Sequence, residues 1–78
     1  MRYWLKILRE KKGMTQEEVA KLVGISRSAY GHIESGERGV TVKNANKIAM
    51  ILEFNWILFF EKLFFEMKNI RVEGIVHI

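Results

Sequence analysis

The sequence predicts an all-α fold of five short helices, with room for a short C-terminal β-strand. Three observations carry this. Apolar residues recur at helical spacing in segments that stop at Gly13, Gly24 and Gly36, where a left-handed residue can close a helix. The stretch "TQEE", residues 15–18, has the form of a capping box. Alternation with a period of two residues occurs only at the C-terminal end.

The first segment covers residues 3–12. Trp4, Leu5 and Leu8 share one helical face, and "REKK" places positive charge in the last turn, where the helix dipole favours it. The second starts at Thr15, an N-cap with Glu18 reaching back to it, and turns Val19, Ala20 and Val23 inward before Gly24. The third is capped by Ser26 and runs over residues 26–35. At 100° per residue, Ala29, Tyr30 and Ile33 fall within an arc of about 100°. Arg27, Ser28, Gly31, His32 and Ser35 fill an opposite arc of about 140°, which contains no acid. The fourth segment starts after Thr41 or Val42 and ends near Glu53, with Val42, Ala45, Ile48, Ala49 and Leu52 inward. The fifth starts near Asn55, a candidate N-cap, and runs through "WILFFEKLFFE". These elements form one domain over residues 1–65. In the tail, residues 66–78, Ile70, Val72, Val76 and Ile78 alternate with other residues around Gly74, a strand pattern without a local partner. Such a tail is either disordered or pairs with another chain.

Composition narrows the function. The chain has 78 residues, no Cys and no Pro, so thiolate zinc sites and disulfides are out. Its two His stand far apart in sequence, and no metal or cofactor is expected. No apolar run is longer than that of residues 56–60, far too short to span a bilayer, and the N-terminal stretch has no signal-peptide pattern. The expectation is a soluble cytoplasmic protein without a membrane partner. Neither paired carboxylates, nor nucleophile–base spacing, nor a Gly-rich phosphate loop marks an enzyme. The net charge of +4 is uneven: residues 1–50 carry ten Lys and Arg against five Glu, and residues 51–78 carry three against four. The basic part favours a polyanion.

Segments two and three are two short helices joined by a tight Gly-containing turn. That is the geometry of a helix-turn-helix, whose second helix enters the DNA major groove. An acid on its outer face would repel phosphate. Arg27 can pair with guanine or clamp a phosphate, Ser28 can meet a base edge, and His32 can reach another base one turn on. Gly31 removes bulk between them. Gln16 and the N-terminus of the second segment can dock on a phosphate.

The stretch "LKILREKKGMTQEEVAKLVGISRSAYGHIESGER" resembles the Cro/C1-type (XRE-like) helix-turn-helix family of bacterial and phage repressors. "NANKIAMIL" and "FNWILFFE" resemble that family's fourth and fifth helices, so the likeness covers roughly residues 3–60. It implies a five-helix, lambda-repressor-like domain acting as a homodimeric repressor on a near-palindromic double-stranded operator. The half-sites would lie about 34 Å apart. By resemblance, Gln16, Arg27, Ser28 and His32 match base- or backbone-reading positions, and Thr15, Ser26, Ser35 and Arg38 match phosphate-contacting ones. Arg9 and Glu34 match a buried salt bridge between the first helix and the end of the recognition helix. The sequence departs from the family at Tyr30, usually β-branched, and at Glu37, often Lys. It also departs at "RGVTV", usually a Pro-containing link, and at Glu53, commonly Gly.

Nine of the twelve residues 54–65 are apolar and cover nearly every side of a helix. One face closes the core. The surplus, at Trp56, Phe59, Phe60, Leu63 and Phe64, is read as a dimer interface. The same surplus motivates the alternative function, an antitoxin or antirepressor that holds a protein partner.

Overall fold

A computed structural model describes residues 1–60 of the chain. Four α-helices follow one another: α1 (Tyr3–Lys11), α2 (Gln16–Val23), α3 (Arg27–Ser35) and α4 (Val42–Leu52). A short 3₁₀ helix, Trp56–Phe60, comes next. The class is all-α, with no strand among the described residues. The fifth helix is thus a 3₁₀ turn as far as Phe60. The remainder of that segment, with Leu63 and Phe64, and the tail read as a strand lie outside the described residues.

Local chemistry sets each boundary. Thr15 Oγ1 accepts the Glu18 N–H at 3.1 Å, and Glu18 Oε1 accepts the Thr15 N–H at 2.8 Å. This reciprocal cap satisfies two amide donors that have no partner inside the helix. Gly24 ends α2 with φ 90°, and its N–H returns to the Ala20 carbonyl at 2.8 Å. A side chain would be strained there, and the turn to Ser26 stays tight because none is present. Ser26 caps α3 by accepting the Ala29 N–H at 3.0 Å, and Gly36 closes it at φ 85°. Thr41 caps α4 in the same way, accepting the Asn44 N–H at 3.1 Å. Asn55 Oδ1 accepts the Ile57 N–H at 3.0 Å, so this residue does cap the turn that follows.

The core gathers Leu5, Val19, Val23, Tyr30, Ile33, Ala45, Ile48, Leu52 and Phe59. Trp4, Met14, Ile25 and Phe54 pack on it from its edges. α2 rests on α3 and α4, α1 rests on α3, and the 3₁₀ helix rests on α4. Two expectations change. Val42, read as inward, is 56% exposed. It is the first residue of α4, where the helical stripe emerges from the core into solvent. Phe59, assigned to a dimer interface, is buried in its own domain. Its ring meets Trp4 edge-on at 5.1 Å between centroids and Phe54 at 5.7 Å.

Glu53 takes the left-handed conformation, φ 60° and ψ 58°, at the position where the resemblance leads one to expect Gly. The turn therefore forms as it would with Gly, at a backbone cost of about 1 kcal/mol for a residue with a Cβ. Its carboxylate pairs with Lys12 at the end of α1.

Candidate nucleic-acid interface

The helix-turn-helix presents an outer face on α3. Arg27 and Ser28 are exposed, and Gly31, His32 and Ser35 are half-buried along the same side. Thr15, Ser26 and Arg38 are exposed around it. An open groove lined by Arg9, Glu10, Gly13, Met14, Thr15, Gln16, Glu17 and Arg27 connects the N-terminus of α2 with the start of α3. The face is free of acid along α3 itself. Its C-terminal rim carries Glu37, whose Oε1 lies 4.0 Å from His32 Nε2 and 3.0 Å from Ser35 Oγ. Ser35 Oγ also lies 3.1 Å from the His32 carbonyl. The Ser35 hydroxyl proton is thus engaged within the chain.

Behind this face stands a buried polar network centred on Glu34, which is 1% exposed. Arg9 donates to it twice, from Nε at 2.8 Å and Nη2 at 3.0 Å. Gln16 Nε2 donates at 2.9 Å and the Tyr30 hydroxyl at 2.9 Å. Arg9 Nη1 adds a bond to the Met14 carbonyl at 2.8 Å. Every buried side-chain polar atom among the described residues has a partner. Burial works to raise the Glu34 pKa. The hydrogen bonds from Arg9, Gln16 and Tyr30, with the Arg9 charge, outweigh it and hold the carboxyl below its ordinary range. Burial, then the neighbouring carboxylate, pushes the Tyr30 phenol well above its usual value. The Arg9 guanidinium is raised, chiefly by its hydrogen bond to Glu34.

The sequence pattern pairs Arg9 with Glu34 but does not reveal the Gln16 donor, while the spacing of Tyr30, one turn before Glu34 on α3, is the signal that could have found the third. Tyr30 is more than an oversized core residue, since its hydroxyl completes the carboxylate's shell. Gln16 belongs by pattern to the outer surface, yet one of its amide protons is committed to Glu34. Arg2 is a further residue that sequence reasoning misses. Its backbone N–H donates to the Glu34 carbonyl at 2.9 Å. Its guanidinium donates to the Ile33 carbonyl, and to that of Arg38 at 3.3 Å, satisfying the end of α3. The same group lies 5.6 Å from the Phe59 ring centroid. Nothing in the local pattern marks Arg2, because its partners are more than thirty residues away.

A helix-turn-helix family model matches residues 5–56, well over half of the chain. The chain belongs to the Cro/C1-type helix-turn-helix family. This Cro/C1-type chain is 48% identical over 69 residues to the uncharacterized HTH-type transcriptional regulator YqaF of Bacillus subtilis (strain 168), covering 88% of this chain and 91% of YqaF. An uncharacterized HTH-type transcriptional regulator of Archaeoglobus fulgidus is 43% identical over 51 residues, covering 65% of this chain and 72% of its own. Among solved structures, a tyrosine-to-alanine mutant of the restriction-modification controller protein C.Esp1396I matches with a TM-score of 0.64 at 35% identity, over 87% of this chain and 88% of that one. Cro/C1-type proteins of this kind are DNA-binding transcriptional regulators. No helix among the described residues is long and apolar enough to cross a membrane.

Proposed function

We propose that the chain acts as a homodimeric repressor on an inverted-repeat operator, with α3 of each protomer in one major groove. The observation that carries this reading is the exposed, acid-free face of α3, held at a fixed angle to α2 by the Glu34 network. Arg27, Ser28 and His32 reach base edges. Thr15, Ser26, Ser35 and Arg38 position the domain on phosphates, with Gln16 beside them at the start of α2. Ser35 turns its hydroxyl from Glu37 to do so. Arg9 is held inward by its bonds to Glu34 and to the Met14 carbonyl, and serves structure first.

The dimer would form at the end of the domain remote in sequence from this motif. Val42, Trp56, Ile57 and Phe60 line a shallow surface hollow without polar residues. Trp56 and Phe60 meet edge-on at 5.7 Å, leaving Trp56 36% and Ile57 49% exposed. Apolar surface of this sort is stabilised by association. With Phe59 turned into the core, the interface is assigned to Trp56, Ile57 and Phe60.

Selection of bound sequences from a random duplex pool tests the reading. The expected result is an enriched inverted repeat with half-sites about one helical turn apart and binding that weakens steeply with salt. General binding without enrichment would set this reading aside in favour of a protein partner. An activator would bind the same repeat yet raise transcription of a linked reporter.

A further inference from the structure

Gly31 occupies the middle of α3, where Gly destabilises a helix relative to Ala. Gly24 and Gly36 have a backbone reason to be Gly, their positive φ; Gly31 has none. Packing supplies no reason either. A Cβ built on Gly31 meets only Gln16 Oε1, at 3.7 Å, an ordinary contact. The chain by itself would accept Ala here. The position nonetheless lies on the recognition face, four residues from both Arg27 and Ser35 on one helical stripe, with Ser28 and His32 beside it. It is a notch among longer side chains. One wall of the notch is Gln16, held by its hydrogen bond to the buried Glu34 at 2.9 Å.

We propose that Gly31 is a specificity-setting position, whose missing side chain leaves space for a base edge in the major groove. This rests on the DNA-binding reading above. A Cβ at the floor of the notch would hold the helix away from the bases while leaving the phosphate contacts at its rim nearly in place. The position therefore trades helix stability for close approach at one step of the operator.

The test compares wild type with Gly31→Ala, each by thermal melting, by titration of the operator that wild type selects, and by titration of an unrelated duplex. The expected variant melts about 4–8 °C higher. It binds the selected operator at least about fivefold more weakly, and the unrelated duplex with unchanged affinity. Three results would overturn the proposal. A lower melting temperature would mean that the chain itself requires Gly. A loss of operator affinity smaller than fivefold would mean that nothing enters the notch. An equal loss on both duplexes would mean that the change acts on phosphate docking. If wild type selects no sequence, the DNA reading fails and takes the inference with it, an outcome distinct from the other three.

Discussion

The two ends of this small domain are held together by opposite chemistry. At the recognition end, one carboxylate takes directional hydrogen bonds from α1, α2 and α3. At the other end, the rings of Trp4, Phe54 and Phe59 pack with no polar tie among them, and Val42, Trp56 and Ile57 remain exposed. Hydrogen bonds to a charged group fix angles, whereas apolar contact is non-directional and measured by area. The contrast fits the roles proposed for the two ends. A helix that reads bases needs its orientation set to within a fraction of an ångström. A surface that joins another chain needs mainly area and shape.

The largest test of this contrast is Glu34→Ala. It leaves Arg9 buried without its counter-charge, and a loss of about 3–5 kcal/mol in chemical denaturation is expected at neutral pH. The pH dependence has a definite sign. A carboxyl whose folded pKa lies below the unfolded value, about 4.3, stabilises fully above that value, and the contribution is lost as pH falls through the folded one. The penalty of Glu34→Ala should therefore shrink in acid. A penalty below about 1 kcal/mol at neutral pH would mean that the network is ornamental.

Trp56→Glu probes the apolar end. It places a charge on the exposed hollow and should weaken self-association at least about 30-fold in sedimentation, with the helical spectrum preserved. Unchanged association would move the interface elsewhere.

Tyr30→Phe is a smaller change, about 1.5 kcal/mol, because Glu34 keeps its other donors. Its signature lies in alkali. A phenol whose folded pKa is raised stabilises fully below the unfolded value, about 10, and that stability is lost as pH rises beyond it. Wild type should weaken above about pH 10 more steeply than the Phe variant. Parallel curves would remove the phenol from the network.

Glu53→Gly has the smallest expected effect. Relief of the left-handed strain, about 1 kcal/mol, is offset by a looser unfolded chain and by loss of the surface pair with Lys12. The net gain should be about 0.5 kcal/mol or less. A loss of about 1 kcal/mol or more, on the order of a good ion pair, would show that the aromatic end also leans on a polar tie.

What is legible in the sequence is local. The Thr15–Glu18 box, the Ser26 and Asn55 caps and the turn at Gly24 each depend on residues within a few positions, so their pattern is visible in the chain. The acid-free stripe of α3 is legible for the same reason, being a matter of helical spacing. The engagement of Gln16 with Glu34 depends on how α2 docks on α3, and its residue type does not announce it, whereas Tyr30 stands one turn before Glu34 on the same helix, a spacing visible in the chain. Arg2 depends on contacts across more than thirty residues. Val42 and Phe59 depart from expectation because a helical wheel assigns sides and not depths. The first residue of α4 projects past the edge of the core, and a 3₁₀ turn redirects the side chains after Asn55.

The position of Glu34 has a kinetic consequence. Its carboxylate has all its donors only once α1, α2 and α3 have docked, and the expectation is that its shell completes after the transition state of folding. An interaction absent from the transition state leaves the folding rate nearly unchanged and slows unfolding. Removing the Gln16 amide, which reaches Glu34 from another helix, would then shorten the lifetime of the folded chain while leaving its rate of formation almost as before. The shared carboxylate acts as a clasp on a finished assembly, governing how long the reading head persists once made.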